Sequence, residues 1–144
     1  MIRNIRPSDR EVYLRMVADF YRSPGVLHPI PAAHAERTFD ELMRSTAYAE
    51  AFIFEHEGRI AGYGLLAKTF SQEAGGAVVW IEELYVAPEY RGAGLGRDFL
   101  RFVRREVHAA RYRLEAERGN VRAVALYERE GFRPLAYDNY CLDA

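Results

Sequence analysis

The apolar positions switch period along the chain. Val12, Met16, Val17 and Phe20 recur at helical spacing behind "SDRE", where Ser8 and Glu11 stand three apart as in a capping box. Ala35, Phe39 and Leu42 with Met43 mark a second helical face. Between the two lies "SPGVLHPIPA", residues 23–32, a loop stiffened by three prolines. The period then changes. Residues 49–70 are two apolar runs around "EHEG", which predicts a hairpin, and "QEAGG" is a further turn. Residues 77–88, "AVVWIEELYVAP", are rich in β-branched and aromatic side chains and stop at a proline, so they predict a strand. Leu95, Phe99, Phe102 with Val103, and Val107 return to helical spacing. Residues 112–117 predict another strand, and residues 120–130 a helix that ends at Gly131. A short strand at residues 2–5 opens the order, and one or two strands in "FRPLAYDNYCL" close it. The resulting β-α-α-β-β-β-α-β-α-β order is that of a mixed α/β domain around one sheet.

Length and composition narrow the class. The 144 residues suit one compact domain over residues 1–144, and 18 Phe and Tyr side chains can fill its core. No apolar run approaches the ~20 residues of a membrane span, and "MIRNIRPSDR" carries no apolar signal segment. Cys141 is the sole cysteine, which excludes an internal disulfide and a cysteine metal cluster. A cytoplasmic enzyme or binding module without a metal is expected. Charge is uneven. Residues 91–133 hold eleven arginines against six acids, a net +5, while residues 1–90 carry a net −4. One end of the molecule should favour an anion and the other a cation, unless the arginines only coat solvated helix faces. They alternate with acids and belong to no nucleic-acid reader motif, so no nucleic-acid partner is expected.

The densest local signal is "EYRGAGLGRDFL". Gly92, Gly94 and Gly96 precede the periodic part of a helix, with Arg91 in front. The first N–H groups of a helix lack partners and its dipole makes that end positive, so it is suited to a phosphate. Glycine lets the backbone come close. A P-loop needs a lysine here and none is present; a Rossmann turn has different spacing and sits early in a βαβ array. What remains is Arg-x-x-Gly-x-Gly, matched by Arg91, Gly94 and Gly96, or a glycine turn without a ligand.

"ELYVAPEYRGAGLGRDFL" and "NVRAVALYEREGF" together resemble the two motifs of the GNAT superfamily of acetyl-CoA-dependent N-acetyltransferases. The resemblance covers most of the second half of the chain. It implies a GNAT fold, with a mostly antiparallel mixed sheet of six to seven strands flanked by about four helices. It implies acetyl-CoA as cofactor, a ternary complex with direct attack, and a homodimer as one common assembly. Leu84, Tyr85 and Val86 would offer backbone groups to the pantetheine arm. The amides of Arg91, Gly92, Ala93, Gly94, Leu95, Gly96 and Arg97 would hold the pyrophosphate. Asn120 would bond the pantetheine or the loop beside it, and Tyr127 would act as general acid at the sulfur. Asn120 also reads as a plain N-cap and Tyr127 as a packed aromatic. The pair is two helical turns apart and shares a face.

Acetyl transfer to an amine needs a proton acceptor at neutral pH, because a free alkyl amine has a pKa around 10. Glu82 and Glu83 interrupt an apolar strand and point to opposite faces. Acids there resemble those of polyamine acetyltransferases. Glu115 resembles a base of the ribosomal-protein acetylating branch, and each of the three is equally readable as an arginine partner. His28 lies within the proline loop, which lines the acceptor site in such a fold, and Phe20 and Tyr21 just before it offer aromatic walls for a cation, with Glu82 reaching the site from the strand; a structural or exposed histidine and core-packed aromatics are the alternative readings. The expected function is acetyl transfer to a primary amine of a small cationic molecule or a peptide; the rival is a nonenzymatic acyl-CoA sensor.

Overall fold

A computed structural model describes residues 1–144. The chain runs β1 (Ile2–Asn4), α1 (Arg10–Phe20), α2 (Ala32–Arg44), β2 (Ala49–His56), β3 (Arg59–Ser71), β4 (Gly76–Val86), α3 (Leu95–Glu106), β5 (Arg111–Leu114) and α4 (Val121–Arg129). Five strands form one sheet in the order β1-β2-β3-β4-β5. The first four are antiparallel and β5 joins β4 in parallel. The six to seven strands expected are therefore five. Residues after Phe132 form no strand and lie exposed, and Pro134 removes one of the N–H groups a strand would need.

Alternation along the strands divides the core into two. Ile53, Tyr63 and Leu65 meet Tyr13, Met16, Val17, Phe39 and Leu42 of α1 and α2 on one face. Phe52, Phe54, Leu66, Val79 and Ile81 meet Phe99, Leu100 and Val103 of α3 on the other, with Leu126 and Tyr127 of α4 packed against them. The hairpin expected at "EHEG" forms with Glu57 and Gly58 at its tip, both at positive φ, as a two-residue primed turn requires. No helix is long and apolar enough to cross a membrane.

The start of α1 departs from the expected capping box. Ser8 and Glu11 do not cap it; the chain turns through a 3-10 segment, Pro7–Asp9. Asp9 accepts the Arg6 backbone N–H at 2.7 Å and both terminal nitrogens of Arg3, at 2.8 and 3.0 Å. The carboxylate thus ties β1 to α1, which no local pattern indicated.

Candidate functional site

Strand β4 carries a β-bulge at its centre. Leu65 of β3 pairs with Glu83 and Leu66 with Ile81, so Glu82 is the extra residue. The bulge exchanges the faces. Before it, Val79 and Ile81 point toward α3; after it, Glu83 and Tyr85 turn toward α1 and α2. Adjacent β5 pairs only with Val78–Ile81 and ends at Leu114. From Glu82 to Val86 the β5-side edge of β4 has no strand beside it.

That edge exposes specific backbone groups. Ala87 donates its N–H to the Ala61 carbonyl at 2.8 Å. Antiparallel pairs alternate, so Tyr85 also spends its backbone groups on β3, while those of Leu84 and Val86 face the gap. Of the three residues expected to offer backbone groups there, Tyr85 is the exception. The Val86 carbonyl accepts from Arg91 Nε at 2.9 Å.

The glycine turn lies at one end of the gap. Gly92 and Gly94 have φ of 86° and 82°, a conformation open to glycine at little cost. Gly94 is the N-cap of α3, and the first helical bond runs from the Asp98 N–H to the Gly94 carbonyl. The amides of Leu95, Gly96 and Arg97 consequently have no helical acceptor. The Arg97 guanidinium folds over Gly94 and pairs with Asp98 at 3.1 Å. Gly96 is the contact point of three elements: a methyl there would lie 3.3 Å from Leu126 and 3.7 Å from Leu84. The start of α3, the free edge of β4 and the middle of α4 thus converge, and this cradle fits a diphosphate with an extended arm.

Helix α4 supplies Asn120 and Tyr127. Asn120 Oδ1 accepts the Ala123 N–H at 3.3 Å, so it is an N-cap, and its Nδ2 faces Gly25 in the proline loop. The Tyr127 ring packs 6.3 Å from that of Phe132, and burial pushes its hydroxyl pKa up. It lines a groove of ≈ 840 Å³ with Trp80, Leu114 and Glu115.

The three acids separate into two environments. Glu83 is 7% exposed; its Oε2 accepts from the Tyr21 hydroxyl at 2.5 Å and its Oε1 from that of Tyr63 at 2.7 Å. Burial raises its pKa, and the two hydroxyls pull it back without cancelling the rise. Glu82 is open to solvent, yet the protein crowding it, and then the charge of Glu115, raise its pKa as well. Neither has an arginine partner. Phe20 stacks edge-on with Tyr21 at 5.1 Å and Tyr63 at 6.4 Å, forming an aromatic wall beside Glu83. His28 is exposed in the loop and makes no hydrogen bond. Tyr63 was not among the residues expected; a tyrosine in an apolar strand reads as core until its partner, twenty residues away, is known.

The chain is similar to known proteins over nearly its whole length. The model of the acetyltransferase (GNAT) family matches residues 13–132. The chain is 27% identical to the thialysine N-epsilon-acetyltransferase of Mus musculus over 150 residues, covering 93% of this chain and 84% of that protein. An acetyltransferase of Trypanosoma brucei superposes with a TM-score of 0.70 at 27% identity, covering 100% of this chain and 99% of that one. An aminoglycoside N-acetyltransferase in complex with CoA shares the fold, with a TM-score of 0.75 at 16% identity over 98% of this chain and 95% of that one.

Proposed function

The chain belongs to the acetyltransferase (GNAT) family and is an acetyltransferase that uses acetyl-CoA; on that premise we propose that it acetylates a primary amine on a small cationic molecule or a peptide, by direct attack within a ternary complex. Acetyl-CoA supplies the acetyl group as a thioester. The amides of Leu95, Gly96 and Arg97, with the turn from Arg91 to Gly94 before them, would hold its pyrophosphate. Leu84 and Val86 would bond the pantetheine arm as a short added strand, the Val86 carbonyl, which accepts from Arg91 Nε, becoming available if Arg91 releases it. Asn120 fixes the start of α4 against the proline loop. Tyr127 delivers a proton to the departing thiolate; its raised pKa keeps that proton in place beforehand.

The observation that carries the acceptor reading is Glu83, a buried carboxyl without a basic partner, walled by Phe20, Tyr21 and Tyr63. A buried carboxylate held only by neutral hydroxyls still carries a desolvation cost, and a cationic amine nearby offsets it. Glu82 and Glu115 add negative charge at the mouth of the gap, which favours an acceptor with more than one positive charge. The similarity to a thialysine N-epsilon-acetyltransferase makes an amine on a flexible chain the first candidate. Direct attack agrees with the position of Cys141, exposed beyond α4.

The test is a panel of polyamines, lysine analogues and peptides with acetyl-CoA, read as thiol release. Tyr127→Phe should lower turnover on the order of 10²-fold with acetyl-CoA affinity nearly intact. Thiol release by no amine, or unchanged turnover in Tyr127→Phe, would remove the acceptor class or the general-acid role respectively.

A further inference from the structure

Both oxygens of Glu83 are already engaged, and the carboxyl is 7% exposed. Its two partners differ in access. Tyr63 is fully buried among Tyr13, Phe20 and Tyr85. Tyr21, which caps the C-terminus of α1, is only partly buried, and it lines a cleft of ≈ 240 Å³ between α1 and the start of α2 with Arg22, Ile30 and Pro31. Tyr21 is therefore the less buried of the two tyrosines bonded to the carboxyl.

We propose that Tyr21 is the proton conduit of the reaction: its hydroxyl oxygen takes the proton of the attacking amine while its own proton passes to Glu83 Oε2. This rests on the acetyl-transfer reading above. One N–H bond breaks and one O–H bond forms on Tyr21; the original Tyr21 O–H breaks and one forms on Glu83. The positive charge that develops on nitrogen and the negative charge of Glu83 are both removed, and Tyr21 ends as it began. Burial and the bond to Glu83 raise the Tyr21 pKa, so a tyrosinate does not accumulate and the two transfers run together. Tyr63 is a positioning residue that fixes the other oxygen.

The groups facing Glu83 are Tyr13 and Tyr21 from α1, Tyr63 from β3, and Glu82 and Tyr85 from β4, with Asp19 beside Tyr85. From α2 the cluster receives Ala35, Phe39 and Leu42, none of which titrates. Each tyrosine bond lowers the Glu83 pKa, so losing one moves the acid limb of kcat to higher pH.

The experiment compares pH profiles of thiol release for wild type, Tyr21→Phe, Tyr63→Phe, Glu83→Gln and the Tyr21→Phe/Glu83→Gln pair. Tyr21→Phe should reduce plateau kcat on the order of 10²-fold and shift the acid limb upward, with acetyl-CoA affinity unchanged. Tyr63→Phe should shift the limb the same way with a smaller loss of kcat. The double variant should be no slower than Glu83→Gln alone. Fluorotyrosine at position 21, which acidifies the hydroxyl and keeps the ring, should alter the profile even if the Phe variant folds poorly. A Tyr21→Phe enzyme within about two-fold of wild-type kcat overturns the conduit and leaves acetyl transfer standing. A wild type that binds acetyl-CoA and acetylates no amine overturns both.

Discussion

Glu82 and Glu83 are neighbours in the chain and sit in different media. Glu83 is held by two tyrosine hydroxyls on the α1–α2 face, while Glu82 is solvent-open and feels Glu115. The bulge between them and Ile81 creates the difference. Because burial raises the folded-state pKa of Glu83, its contribution to stability is fully present below the unfolded carboxyl value and is lost as pH rises through the folded value. Glu83→Gln should remove that loss. Its melting temperature relative to wild type should increase as pH rises from 5 to 8, followed by thermal melts at a series of pH values. A relative melting temperature that fell over this range would contradict the assignment.

Asp9 has the opposite sign. Burial pushes its pKa up, but the Arg3 guanidinium and the Arg6 N–H bring it below the ordinary value. Its stabilisation is present above the unfolded value and fades as pH falls through the folded one. Removing one partner of a buried pair is costly, so Asp9→Ala should cost about 3 kcal/mol in urea denaturation at neutral pH, and less in acid.

Gly64 lies against Phe99 with no room for a side chain. A Cβ there would fall 2.2 Å from the ring, and Phe99 is itself fully buried. Gly64→Ala should destabilise by about 1–3 kcal/mol, since β3 and α3 must move apart. Adding Phe99→Leu should recover part of the loss, and denaturant melts of the two variants decide it.

Gly94 tests the cradle. At φ 82° a β-branched residue is strained, and the Arg97 guanidinium lies 2.8 Å from its Cβ position. Gly94→Val should weaken acetyl-CoA binding about tenfold or more in titration calorimetry, with circular dichroism unchanged. Retained affinity would mean that the pyrophosphate is held elsewhere.

Much of this arrangement was legible before the fold. The hairpin of β2 and β3, the strand β4 and the helix α3 are written in local period and turn chemistry, and the glycine turn is contiguous, so its backbone role needs no distant partner. Tyr13, buried on α1, lies outside the expected apolar set of Val12, Met16, Val17 and Phe20, in which its neighbour Val12 stands instead. The cap at α1 escaped because Asp9 answers Arg3 across a turn rather than a helical neighbour. The expected last strand is not formed, and the proline within it is a local reason.

By itself the chain determined its element order as far as α4, its glycine turn and the presence of paired acids in an apolar strand, because each depends on residues within a few positions of one another. The tertiary structure alone decided which acid is buried and what holds it. Tyr21 and Tyr63 lie 62 and 20 residues from Glu83, and a single extra residue in β4 turns that side chain toward them. With a side-chain period of two, one inserted residue reverses the face of everything after it, and no pattern read along one strand reveals where its partner slips.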